Sequence, residues 1–226
     1  MGLFDKNQDK KYIINNKEIH IKCSKNLNNI ANFILKILEE LDTKENCISD
    51  NHVIRIGFMA YKVVKKNNFY KLLTIDLDDN SLNNYVDDLS ISFNYFLRQS
   101  NIINKTNTSK QSIDTFYDDN MFISKKSLTS QKKYMVRNEI NNNDCGWYLG
   151  AVDEEKTNNP NDYVKIKTYE LRKFCDVAID ILQLPVGTLV MINGNKIIDI
   201  VDKNNKSLMY IKNWYRENDY GIIWQI

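Results

Sequence analysis

Along the first half of the chain the apolar positions switch between strand-like and helix-like spacing. Tyr12-Ile13-Ile14 and Glu18-Ile19-His20-Ile21-Lys22 flank Asn15-Asn16, a turn-forming pair between β-favouring runs, and predict a hairpin. Ser24 resembles a helix N-cap. Leu27, Ile30, Ala31, Ile34, Leu35, Leu38 and Leu41 follow at three- and four-residue spacings, which predicts an amphipathic helix. Val53 to Val64 is rich in β-branched and aromatic residues, Lys65-Lys66-Asn67-Asn68 reads as a turn, and Phe69 to Leu77 as the returning strand. The cluster Asp76–Asn80 ends that strand. A second helix is predicted over Val86 to Gln99, with Leu89, Phe93, Phe96 and Leu97 on its buried face.

The second half has shorter periods. Met121-Phe122-Ile123-Ser124, Tyr134-Met135-Val136-Arg137 and Gly146–Val152 predict strands, with a turn at Asn141–Asp144 and a loop at Thr157–Asp162. Leu171, Phe174, Val177, Ala178, Ile181 and Leu182 predict a helix capped by Thr168 and ended by Leu184-Pro185-Val186-Gly187. Leu189–Ile192, Lys196–Val201, Leu208–Ile211 and Gly221–Ile226 predict further short strands. No repeat at a fixed period is evident. The pattern predicts an α+β protein of two small mixed units, each with antiparallel strands packed against one or two helices. The expected division is residues 11–104, a Ser/Thr/Asn-rich linker at 105–115, and residues 116–226.

Composition narrows the function classes. The 226 residues are 42% hydrophobic and 11% aromatic, enough for a true core. Thirty-one basic and 29 acidic residues give a net charge of +2, which argues against nucleic acid as a partner. No apolar run reaches the roughly 20 residues that span a bilayer, and Met1–Lys6 lacks the apolar core of a signal peptide. Cys23, Cys47, Cys145 and Cys175 are widely spaced, without a metal-type pattern, and read as reduced thiols in a cytoplasmic protein.

One segment stands apart from the Asn-, Lys- and Ile-rich background: Asp144-Cys145-Gly146-Trp147-Tyr148-Leu149-Gly150-Ala151-Val152-Asp153-Glu154-Glu155. A thiol beside Gly and Trp invites comparison with a nucleophile. That chemistry needs a histidine base, however, and the only histidines, His20 and His52, lie in the other half. Asp153, Glu154 and Glu155 carry ligands of the type that suit Mg²⁺ or Ca²⁺, but adjacent residues on a strand alternate faces and do not converge. No catalytic residue, cofactor or metal site is therefore expected.

The segment belongs to an ordered set: Ser124-Lys125-Lys126, Met135-Val136-Arg137 with Glu139, Asp144-Cys145-Gly146-Trp147, Asp153-Glu154-Glu155, Asn159-Pro160 and Pro185-Val186-Gly187-Thr188. In order and spacing this set resembles the immunity protein 33 domain family over about residues 121–202. Cys145 stands where the family has Ser, and Leu149-Gly150-Ala151 replaces a more aromatic stretch. The resemblance implies a bacterial protein of a toxin–immunity system that binds a cognate protein toxin and blocks it without catalysis. A regulatory or scaffold module for another protein or small ligand is the alternative, and a deep apolar pocket between the halves would favour it. A metal hydrolase would show convergent carboxylates.

The partner-binding candidates are Arg137, Glu139, Asp144, Trp147, Asp153, Glu154 and Glu155. For the first four, two readings stand. They form a polar surface with Trp147 as aromatic anchor, or Asp144 caps the turn and pairs with Arg137 while Trp147 sits in the core. The acidic run reads as an exposed edge complementary to a basic toxin surface.

Overall fold

The computed structural model describes residues 7–79, 82–141, 144–155 and 159–209. The strand expected at Gly221–Ile226, the end of that at Leu208–Ile211, and the start of the polar 1–10 stretch lie outside these residues. The fold is α+β, as expected: two six-stranded mixed sheets with helices between and around them.

The first sheet begins with the expected hairpin, β1 (Asn7–Ile14) and β2 (Lys17–Ser24), joined through Asn15 and Asn16 at φ 47° and 63°. Both turn residues sit in the left-handed region that Asn tolerates, which matches the twist of the flanking strands. The expected Ser24 cap is not made. Its backbone N–H instead donates to Ser90 Oγ (2.8 Å), and a 3₁₀ turn, Lys25–Leu27, precedes α1 (Asn28–Glu45). The Val53–Val64 run folds back on itself at Gly57 into β3 (Val53–Ile56) and β4 (Met59–Lys66), and β5 (Phe69–Ile75) returns after Asn67-Asn68. The order is β1-β2-β5-β4-β3, with the two-residue β6 (Tyr85–Val86) beside β5. β2 and β5 are parallel and all other pairs antiparallel.

The second sheet has the order β10-β7-β9-β8-β11-β12, formed by β7 (Asn120–Ser124), β8 (Lys132–Arg137), β9 (Trp147–Ala151), β10 (Tyr163–Lys167), β11 (Leu189–Asn193) and β12 (Lys196–Val201). The expected elements do not include β10, although Val164-Lys165-Ile166-Lys167 alternates apolar with charged positions. The two sheets share a core order. A first strand ends in Ser (Ser24, Ser124), a Lys-led 3₁₀ turn follows, and an antiparallel pair then lays its second strand parallel to the first (β2∥β5, β7∥β9). The recurrence is one of topology rather than of sequence period.

The expected helix over 168–182 is instead two 3₁₀ segments, Thr168–Lys173 and Asp176–Ile181. Phe174 (φ −140°) and Cys175 (φ −158°, ψ 63°) leave helical geometry between them. Spacings of three and four fit either helix type, so the periodicity could not separate them.

α2 (Ser90–Thr106) is longer than expected and packs against β2, α1 and the 3₁₀ segment Asp176–Ile181. Its Tyr95 hydroxyl donates to Asp176 Oδ1 (2.7 Å), Arg98 contacts Asp176 (2.8 Å) and Asp180 (2.7 Å), and Gln99 Nε2 donates to the Ile179 carbonyl (2.9 Å). The apolar residues of both halves form one buried cluster. The 105–115 segment, expected as a linker, is tied in at both ends. Thr106 and Thr108 are buried against each other, and the Ile113 N–H donates to the Gln183 carbonyl. We retain the division at 11–104 and 116–226 as a proposal about how the chain is built, not as a separation of cores.

Candidate partner-binding site

Arg137 ends β8 opposite Trp147 at the start of β9, and this ladder pair faces inward with Met135 and Leu149. Both side chains are only 1% exposed. Arg137 Nη1 donates to the carbonyls of Ile113 (3.2 Å), Leu182 (2.8 Å) and Leu184 (2.6 Å), and Nη2 to Thr115 Oγ1 (3.0 Å). Its guanidinium lies 5.5 Å from the Trp147 ring, and burial lowers its pKa to about 10. Trp147 Nε1 donates to the Leu182 carbonyl (3.0 Å), which also accepts from Thr115 Oγ1 (2.9 Å). The signature Arg, Trp and Pro-Val-Gly-Thr thus meet in one buried node. Arg137 N donates to the Thr188 carbonyl and Gly187 N to the Arg137 carbonyl. Inside this node neither Arg137 nor Trp147 offers its side chain to a partner.

Asp144 does not turn to Arg137. Its Oδ1 accepts from Gly146 N (2.7 Å), closing an Asx turn. Gly146 sits at φ +81°, where a Cβ would lie 2.4 Å from the Asn138 carbonyl oxygen, so both conformation and space demand glycine. Cys145 is buried, and desolvation pushes its thiol up to about 11, which keeps it protonated and unreactive at neutral pH. Glu139 is exposed just beyond β8.

The acidic run leaves β9 as a turn. Asp153 is exposed and pairs with Lys126 (3.4 Å), and Glu155 is exposed. Glu154 folds back over the sheet, where Oε1 accepts from Tyr148 (2.9 Å) and Tyr134 (3.3 Å). Burial, then the bond to Glu154, raises the Tyr148 hydroxyl well above its ordinary range. Gly150 makes room for this arrangement: a Cβ there would lie 2.5 Å from the Tyr134 ring and 2.6 Å from Glu154 Oε1. Asp153 and Glu154 therefore turn to different partners.

Tyr134 and Tyr148 belong to the outer face of the second sheet, opposite the Arg137–Trp147 node. Phe122 and Tyr163 share that face, since Phe122 aligns with Tyr148 across the parallel pair and Lys165 with Phe122 across β10. Phe122 is 40% exposed, whereas its neighbours Met121 and Ile123 are buried. Tyr148 lies 5.9 Å from Tyr134 and 6.1 Å from Tyr163 between ring centroids. These aromatics were not among the sequence candidates. Their signal was the alternation Met121-Phe122-Ile123 and Trp147-Tyr148-Leu149, which puts one aromatic of each triplet on the face away from the core. A cavity of about 530 Å³ at the junction of the halves is lined by Ser24, Leu27, Ser90, Tyr95, Arg98 and Arg172 among others, and one of about 660 Å³ lies where Thr106, Thr108 and Ile113 meet Pro185, Val186 and Leu208.

A two-sided domain emerges, with a buried arginine–tryptophan node on one face of its sheet and a tyrosine-rich open face on the other. Residues 98–203, from the middle of α2 to just past β12, match the family model of the Imm33-like domain. The match begins earlier than the resemblance at 121–202 and takes in Arg98 and Gln99, two of the three α2 residues described above as bonding the second 3₁₀ segment. No curated protein matches the chain, and no solved structure does. Among the described residues no helix is long and apolar enough to cross a membrane, which leaves membrane-spanning strands unaddressed.

Proposed function

We propose that this is a bacterial immunity protein that acts in the cytoplasm. It binds a cognate protein toxin by surface contact and blocks it without catalysis. The observation that carries the reading is the Imm33-like match over residues 98–203. The inert, buried Cys145 and an acidic run whose Asp153 and Glu154 turn to different partners agree with a binding role. Exposed Glu139, Asp153 and Glu155, with half-buried Asp144 and Glu154, supply the polar contacts, while Arg137 and Trp147 hold the strands that present them.

The test is co-expression with the toxin encoded beside this gene. The chain is expected to restore growth and to co-purify with that toxin. Failure to protect, with no complex recovered, would remove the immunity reading.

A further inference from the structure

We propose that the cavity where the 105–115 segment meets Pro185-Val186 and the 202–208 loop is a binding site for a small organic anion, one with an apolar body and a phosphate or carboxylate head. This goes beyond the immunity reading and needs no toxin to test.

At about 660 Å³ the cavity falls within the range of about 300–1,000 Å³ that small-molecule sites occupy. Its floor is apolar. Ile113, Pro185, Val186 and Leu208 line it, each half-buried, so each keeps apolar surface that a ligand would remove from water. Its charge is one-sided. Lys105, Lys203 and Lys206 line it against a single carboxylate, Asp202. That carboxylate is engaged by its own loop: Oδ1 accepts from Asn204 N (2.8 Å) and Lys206 N (2.9 Å). Among the described residues none of the three ammonium groups forms an ion pair, and Lys206 attracts Asp202 only over a longer distance. The next carboxylates along the chain, Asp114 and Asp199, are not in the lining, and Asp199 accepts from Ser207 Oγ (2.6 Å) and Ile200 N (2.9 Å).

The lysines are held in place. Asp202 N donates to the Lys206 carbonyl (2.9 Å), closing the loop that carries Lys203 and Lys206. Gly187, at φ +84°, has no side chain where an added Cβ would come within 2.8 Å of the Lys203 Cβ, so the Lys203 stem packs against the Pro-Val-Gly-Thr turn. Three cations beside one self-bonded anion draw negative charge, and the apolar floor receives the rest of the molecule. A bare inorganic anion leaves the floor exposed to water, and a neutral apolar molecule leaves the lysines unpaired.

Isothermal titration calorimetry of the full-length chain with naphthyl phosphate, naphthoate, naphthol and inorganic phosphate is the test. Naphthyl phosphate or naphthoate is expected to bind one per chain, with an affinity that falls as salt rises, and the tighter of the two names the head group. Naphthol and inorganic phosphate are each expected to bind at least about tenfold more weakly, because each forgoes one part of the site. Lys206→Glu, at an exposed position, is expected to weaken binding by about tenfold and Val186→Asp, in the floor, by at least as much. Lys66→Glu, the same change of charge at the end of β4, is expected to leave it unchanged. Circular dichroism melts confirm that each variant is folded. The proposal is overturned if neither organic anion saturates the chain, or if naphthol or inorganic phosphate binds as tightly as they do. Equal weakening by Lys206→Glu and Lys66→Glu also overturns it, since charge then acts without the site. Binding of hexaglutamate in place of the naphthyl compounds overturns it too, and names an acidic protein segment as the occupant. None of these outcomes bears on toxin binding, which co-expression tests separately.

Discussion

The Leu182 carbonyl oxygen accepts from Arg137, Trp147 and Thr115, and so ties the ends of β8 and β9 to the chain beyond the second 3₁₀ segment. Arg137 also reaches the Ile113 and Leu184 carbonyls, because a planar guanidinium presents donors in several fixed directions. Lysine keeps the charge but not the fork. Arg137→Lys is expected to lower unfolding free energy by about 3 kcal/mol, since buried carbonyls lose their partners; equilibrium urea unfolding measures it. Gly150 constrains the opposite face. Gly150→Ala drives a methyl into the Tyr134 ring and Glu154, and is expected to cost about 1–3 kcal/mol. Changed chemical shifts of Tyr134 and Tyr148 would report the displaced rings, and unchanged shifts would show that the space is not tight. The inward direction of Arg137 was legible, since it shares parity with Met135 on a strand. What concealed it is the usual rule that charge faces water, which a cage of carbonyls overrides here. Asp144, by contrast, behaves as its turn position implies.

Among the elements, hairpins and α1 follow their patterns closely, because turn residues such as Asn15-Asn16 and a strict apolar stripe leave few alternatives. Over 168–182 the spacing predicts one helix, whereas Phe174 and Cys175 leave helical geometry between two 3₁₀ segments, the second of which packs on α2. That contact also gives the chain a pH signature. Asp180 lies under α2, and burial, only partly offset by Arg98, raises its carboxyl to about 6. A carboxyl raised on folding binds protons more tightly in the folded state, so stability rises as pH falls from above 6 toward the ordinary carboxylate range. Asp42 acts the other way. Burial works to raise it, but Lys17, the Ile48 N–H and Asn15 more than offset that and hold it below the ordinary 3.8. Its contribution is present above that value and is lost as pH falls through its folded pKa. Urea midpoints are therefore expected to rise from pH 7 to pH 5 and to drop below about pH 4. Asp180→Asn is expected to abolish the rise and leave the acid loss; a rise that persists in that variant would assign it to another group.

At the scale of the molecule, the α+β class and the likeness to the Imm33-like family were both readable, the first from alternating periods and the second from the ordered signature. The aromatic outer face of the second sheet was not. Individual aromatic positions such as Phe122 and Tyr163 lie in separate strands, and only the order β10-β7-β9 places them side by side. The same order has a consequence for how the protein reaches its fold. In each sheet the parallel pairing, Ile19 with Tyr70 and Phe122 with Tyr148, joins segments far apart in sequence, whereas β4–β5 and β8–β9 are local pairs. Closing the longer loop costs more chain entropy and is rewarded only after the local pair exists. β2 and β7 therefore join late, each docking against a pair already made. In stopped-flow chevrons, Ile19→Val is expected to speed unfolding and leave refolding almost untouched, while Val63→Ala, within the local pair, slows refolding. Equal slowing by both would mean that the two strands arrive together.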